Sequence, residues 1–287
     1  MGWVDSLEIR DRTNEPTTAL RDLLYGRCAF IFAGGPSTAS LPLERLNRRG
    51  CWTLGINNAA GLGRFRPQAF TCSDPSSKFS QSIWLDPGIM KIVPIPKLNG
   101  GPSRSGLRIR NKRGLERLNH PQGGRWKVKQ CPNVWGYERR SWMAADETFF
   151  TEPGAAWGNH NSGVLRTGEP KTVCTLLLAM RLMRYLGAEK VFLVGVDFKM
   201  TPTSGYSFPQ GRTEGACESN NRQFTVVNDW LCRMQNAGVF HKFGINYYNC
   251  NPISGLRAFP YVSFDQAIEM ACDNVEPNPD LSGWYDK

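Results

Sequence analysis

The chain has 287 residues, 40% of them apolar, enough to bury a sizeable core in one large domain, which excludes a mostly disordered protein. No apolar run long enough for a membrane span occurs, and Met1-Gly2-Trp3-Val4-Asp5 lacks the basic-then-apolar pattern of a secretory signal, so a cytoplasmic protein without membrane association is expected. The formal net charge of +10 is unevenly placed: residues 104–140 hold eleven Lys or Arg against two acids, Glu116 and Glu138.

In chain order, Leu20, Leu23 and Leu24 stand at helical spacing and predict a lead-in helix. Cys28-Ala29-Phe30-Ile31-Phe32-Ala33 is a continuous apolar run ending in Gly34-Gly35-Pro36-Ser37, the pattern of a strand buried on both faces of a parallel sheet. Leu41 to Arg49, ending at Gly50, predicts a short crossover helix. Strands follow at Cys51 to Asn57 and Ala69 to Asp74.

Between Gly100 and Pro132 the periodicity vanishes and Gly, Arg and Lys dominate, so residues 100–145 read as a basic insertion or small lid subdomain outside the sheet. Thr172 to Leu186 is the clearest helix, with Val173, Leu176, Leu177, Met180, Met183 and Leu186 on one face and Gly187 as its stop. Lys190 to Asp197 reads as another buried strand, Asn221 to Ala237 as a helix, Asn246 to Cys250 as a last strand and Phe264 to Cys272 as a closing helix. Helix followed by parallel strand predicts an α/β fold, Rossmann-like and mostly parallel.

In such sheets ligands bind beyond the carboxyl ends of the strands, where this sequence places Gly34 to Ser37, Asn57-Asn58 and Ser73-Asp74. Glycines let backbone N–H groups approach a phosphate, and Ser37 can donate a hydroxyl or cap the next helix. The loop is neither a Walker loop nor G-x-G-x-x-G, which weakens P-loop and hydride chemistry. Nine cysteines without a C-x-x-C pair fit reduced thiols, and no metal-ligand cluster is visible, although Asp74 and Asp197 could hold a divalent ion through a diphosphate.

Taken in order, Phe-Ile-Phe-Ala-Gly-Gly-Pro-Ser, Gly55-Ile56-Asn57-Asn58, Ser73-Asp74-Pro75, Leu193-Val194-Gly195-Val196-Asp197-Phe198 and Asn249-Cys250-Asn251-Pro252-Ile253-Ser254 resemble a superfamily. It joins small bacterial sialyltransferases, MptE-like pterin pyrophosphokinases and many phage proteins. The resemblance covers about residues 27–100 and 160–270. It implies a Rossmann-like domain in which the Gly34-Gly35-Pro36-Ser37 loop and Asn57 hold a nucleotide; with Asn58 and Asp74 these are the expected donor-site residues of a GT-A-like single domain over residues 1–287, the expected donor being a nucleotide sugar, a UDP-sugar first. It further implies that the segment with Asn251 and Ser254 closes over the donor.

The sequence departs from the sialyltransferases where they carry a histidine downstream of the Gly-Val-Asp-Phe strand: residues 215–221 contain none. Glu218, Asp197 and His160, the last in a polar loop before the strong helix, are the candidate general bases. In the basic insertion, Arg108, Arg110, Lys112, Arg113, Arg125, Trp126, Lys127 and Lys129, with Trp135 and Tyr137 nearby, combine phosphate-neutralising charge with aromatic stacking faces. DNA is the expected partner, with a hydroxymethylated pyrimidine as acceptor; the alternatives are an enzyme of this fold acting on a glycan or small molecule, and a non-catalytic nucleic-acid-binding module.

Overall fold

A computed structural model describes residues 6–61, 65–73, 81–95, 108–111, 114–117, 127–140, 144–156, 158–159, 172–207 and 212–273. Its strands in chain order are β1 (Ile9–Arg10), β2 (Pro16–Thr17), β3 (Cys28–Phe32), β4 (Trp52–Ile56), β5 (Ala69–Thr71), β6 (Met90–Pro94), β7 (Arg108–Asn111) and β8 (Gly114–Arg117). They continue as β9 (Val134–Tyr137), β10 (Arg139–Arg140), β11 (Ala155–Ala156), β12 (Gly158–Asn159), β13 (Thr172–Val173), β14 (Lys190–Val194) and β15 (Asn246–Asn249). The helices are α1 (Gln81–Leu85), α2 (Thr148–Thr151), α3 (Thr175–Tyr185), α4 (Glu214–Asn236), α5 (Val239–Lys242) and α6 (Phe264–Cys272).

Nine strands form one sheet in the order β15-β14-β3-β4-β5-β6-β9-β1-β2. Neighbours run parallel from β15 to β9, and only β1 and β2 pair antiparallel at the edge. This is the Rossmann-like, mostly parallel sheet that the apolar runs predict. Alternation along β3 explains it: Ala29 and Ile31 join the core under α3 and α4, whereas Phe30 and Phe32 join the core under α6 on the other face. On β14, Val191 and Leu193 divide from Phe192 and Val194 in the same way. Each such side chain contributes roughly 1.5–3 kcal/mol by leaving water.

Several elements differ from their sequence patterns. Leu41 to Arg49 is not an α-helical crossover; two 3₁₀ turns, Pro36–Ser40 and Leu43–Asn47, join β3 to β4. Leu43 and Leu46, three apart and both buried, fit that tighter period. The lead-in segment forms turns rather than a helix, burying Leu20 and Leu24 while Leu23 stays exposed. Helix α4 starts at Glu214, seven residues before the apolar pattern suggests, because Thr213 caps it by accepting from the Ala216 N–H.

The insertion also needs correction. Val134–Tyr137, inside the 100–145 segment, is not part of a lid: as β9 it lies between β6 and β1 in the main sheet. Tyr137 is fully buried and donates its hydroxyl to Cys72 O, and Trp135 donates Nε1 to Asn133 Oδ1. Arg139 donates to Ser73 O and Arg140 pairs with Glu152, so both serve the frame. Beside β9, Lys91 is fully buried on β6, its ammonium donating to Asp86 O (2.5 Å) and Pro132 O (2.6 Å), while burial lowers its pKa to about 8.

Candidate functional site

The strand order reverses at β3: β4, β5 and β6 extend to one side, β14 and β15 to the other. Such a switch point leaves a crevice beyond the strand ends, because the connections leave in opposite directions. A cavity of about 400 Å³ lies there, walled by the loops after β3, β4 and β14 and by one face of α4.

Gly34 and Gly35 line it, but the loop is built differently from an open phosphate cradle. The Gly35 N–H donates to Gly195 O (2.9 Å), the Ser37 N–H to Asp197 Oδ2 (2.8 Å) and the Thr38 N–H to Gly35 O (3.2 Å), while Pro36 has no N–H. These donors are already engaged. The Gly35 requirement is close approach to β14: an added Cβ would stand 2.4 Å from Gly195 O and 2.6 Å from Asp197 Cγ.

Asp197, buried just after β14, ties three segments together. Its carboxylate accepts from the Ser37 N–H, from Ser37 Oγ (2.5 Å) and from Asn251 Nδ2 (2.8 Å), and its backbone carbonyl accepts from the Gly255 N–H. With both oxygens facing N–H and O–H donors, Asp197 does not fit a metal ligand, and Asp74 lies outside the described residues. Ser37 and Pro36 are therefore in the wall, not in the cavity lining.

Asn57 and Asn58 do line the cavity. Asn57 takes a left-handed backbone conformation (φ 53°), tolerable for asparagine, and donates Nδ2 to Thr175 Oγ1 at the start of α3 (3.2 Å). The first turn of α3 thus faces the cavity and adds the positive end of a helix dipole. Ser254 stays structural: its hydroxyl donates to Val196 O and accepts from the Leu256 N–H.

Of the two candidate bases that are described, Asp197 lines the cavity and Glu218 does not. Glu218 is on α4 rather than in a loop, exposed and on the side away from Asn220, Gln223 and Phe224, which line the cavity. His160 lies outside the described residues, as do Lys112, Arg113, Arg125 and Trp126; Lys127 and Lys129 are exposed beside β9.

Other functional groups escape a motif reading. Lys199 and Arg212, both exposed, line the cavity, and Arg212 donates to the Tyr206 hydroxyl (3.0 Å) while standing 5.4 Å over its ring. Phe198 and Phe224 stack at 4.9 Å with planes 13° apart, and Phe198 holds a left-handed backbone (φ 48°) that bulky residues rarely accept. Asn221 brackets Met200, its amide accepting from the Met200 N–H and donating to the Met200 carbonyl. Burial pushes the Cys174 thiol up to about 11, far from a nucleophile's range. The available signal was the polar set Asn220 and Gln223 with Phe224 on one helical face of α4.

Fold and crevice define a Rossmann-type α/β protein. No protein-family model and no curated protein matches the chain. Among solved structures it is similar to the sialyltransferase CstII from Campylobacter jejuni, determined in complex with a substrate analogue, cytidine-5'-monophosphate, at 14% identity and TM-score 0.40, covering 83% of this chain and 86% of that one. No helix among the described residues is long and apolar enough to cross a membrane.

Proposed function

We propose that the chain is a nucleotide-sugar-dependent glycosyltransferase, with the donor in the switch-point cavity and a hydroxymethylated pyrimidine of DNA as acceptor. The observation that carries the donor half is the charge of the cavity. Lys199, Arg212 and the amino end of α3 face it, while Asp197, the one carboxylate among the described lining residues, is surrounded by donors. A UDP-sugar offers the matching diphosphate. The Phe198–Phe224 pair supplies an aromatic face for the base, and Asn220 and Gln223 supply amides for its edge.

In transfer, the bond from the anomeric carbon to the diphosphate oxygen breaks and a bond to the acceptor oxygen forms. Lys199 and Arg212 stabilise the negative charge on the departing diphosphate. Asp197 acts here as a positioning residue, holding the Gly34-Gly35 loop against β14 through Ser37. With Asp197 so engaged and Glu218 on the far side of α4, the hydroxyl proton is assigned to His160. The charge of residues 104–140 supports the DNA half of the reading.

Calorimetric titration with UDP, CMP and GDP tests the donor half; no binding by any of them sinks it. For the acceptor, duplexes with hydroxymethylcytosine or hydroxymethyluracil are incubated with a panel of nucleotide sugars, and the digested nucleosides are weighed. Mass gain on the modified base is expected. Transfer only to a free sugar or another small molecule overturns the DNA acceptor while keeping the transferase.

A further inference from the structure

We infer that Cys51 and Cys272 form a thiol-oxidation site that a peroxide closes to a disulfide, locking α6 to the start of β4. All nine cysteines are free thiols. These two, 221 residues apart in sequence, hold their sulfurs 3.9 Å from each other. Cys51 immediately precedes β4, and Cys272 is the last residue of α6. The pair therefore sits at the amino ends of the strands, at the opposite edge of the sheet from the switch-point cavity, and is independent of donor binding there.

Packing along the whole of α6 builds this approach. Arg45, in the 3₁₀ turn before β4, pairs with Asp265 in the first turn of α6, and at its other end the Cys272 thiol donates to Arg49 O (3.4 Å). Between these contacts Ala267, Ile268 and Ala271 share one core with Leu43, Leu46 and Cys51 itself. Bonded sulfurs stand about 2.05 Å apart, so about 1.9 Å must close. Rotation of the thiols about Cα–Cβ, with a small movement of the terminal turn of α6, where helices open most readily, closes it. Cys28, the first residue of β3, is a third thiol at this edge, but its sulfur is turned to Met270 O (3.5 Å).

Accessibility sets the order of events. Cys51 is 1% exposed, and burial, followed by the neighbouring Cys272 thiol, pushes its own thiol up to about 12, so it is a poor first nucleophile. Cys272 is only half-buried and is the sulfur a peroxide reaches. That sulfur attacks one peroxide oxygen; the O–O bond breaks, leaving a sulfenic acid on Cys272 and, after proton transfer, a water. The Cys51 sulfur then attacks the Cys272 sulfur, the S–O bond breaks, and the departing hydroxide takes the Cys51 proton as a second water. Two thiols and one peroxide thus give one disulfide and two waters, the sulfurs being oxidised and the peroxide reduced. A cross-link spanning so much of the chain restricts the unfolded state, so closure should stabilise the fold.

In the test, the full chain is treated with hydrogen peroxide, remaining thiols are blocked with iodoacetamide, and tryptic peptides are mapped by mass spectrometry without reductant. One cross-linked pair of peptides, holding Cys51 and Cys272 and released by dithiothreitol, is expected. The whole protein should lose about 2 Da, the two thiol hydrogens, and the thiols counted in denaturant should fall from nine to seven. Its urea midpoint should rise on oxidation and return on reduction. Variants read the order of reaction: Cys51→Ser should leave a sulfenic acid on Cys272, captured by dimedone, and Cys272→Ser should leave Cys51 unoxidised. Circular dichroism checks that the reduced variants fold, and the peptide map of the parent decides without them. Sulfinic acid on Cys272 without a cross-link, a link from Cys272 to Cys28 or to a second chain, or cross-linking only in urea overturns the proposal.

Discussion

Ser37 and Asp197, 160 residues apart in sequence, are joined twice, by a backbone N–H and by a hydroxyl that both donate to the same carboxylate. Hydrogen bonds to a charged group contribute about 1.5–3 kcal/mol each, so Asp197→Ala, which removes several, should destabilise the fold by about 3 kcal/mol or more and Ser37→Ala, which removes one, by about 1.5–3 kcal/mol. Urea unfolding measures both. Asp197→Asn separates a strut from a base: the strut loses stability and donor affinity while the pH dependence of turnover is unchanged, whereas a base gives a stable, inactive protein.

Two glycines make a contrasting pair. Gly35→Ala would drive a methyl group into Gly195 O and the Asp197 carboxylate, so the loop must shift and both stability and nucleotide binding should fall sharply. At Gly26, where φ is +69° but nothing stands within 4 Å, alanine should cost only about 1 kcal/mol and leave binding intact. Equal effects at the two positions would contradict the close-approach account of Gly35.

Lys199→Ala and Arg212→Ala should each weaken UDP binding about tenfold, the effect of losing one charge-assisted contact worth about 1.5 kcal/mol, with little change in stability because both are exposed. Calorimetry checks this. Undiminished affinity in both variants would move the diphosphate elsewhere.

Alkaline pH gives a signed prediction. Burial pushes Cys51, Cys131 and Cys250 up to about 12 and Cys174 to about 11, from an ordinary value of 9.0. Above pH 9 the unfolded chain loses these protons first, so stability is full below that point and falls by roughly 1.4 kcal/mol per pH unit for each thiol. Lys91 works in the opposite direction, since its lowered pKa of about 8 makes the unfolded chain the better proton holder up to 10.5. Urea midpoints from pH 7 to 10 should therefore decline, and Lys91→Met should decline more steeply than the parent. A flat parent curve would contradict the buried thiols.

Much of the sheet was legible because β3 and β14 are buried on both faces and read as unbroken apolar runs. α6 was legible from end to end, with Ser263 and Gln266 forming a reciprocal cap. β9 was not: it is short, follows a basic stretch, and its Trp135 and Tyr137 carry the same aromatic pattern as a stacking surface. The site was half legible. Gly34, Gly35, Asn57 and Asp197 announce themselves as small or polar residues at strand ends, but that Asp197 faces Ser37 and Asn251 depends on pairings across the whole chain. Lys199 and Arg212 were invisible because an exposed cation in a loop has no pattern until the opposite wall is known.

The central place of β3 also has a consequence during synthesis. Its partner β4 follows within a few turns, but its other edge is closed only by β14, far later in the chain. Until Lys190–Val194 leaves the ribosome, Cys28–Phe32 presents an apolar strand with an unpaired row of N–H and C=O groups, a template for pairing with the wrong chain. Truncation before β14 should therefore yield aggregates rather than a smaller soluble domain, and slow translation through residues 60–190 should raise the demand for chaperones.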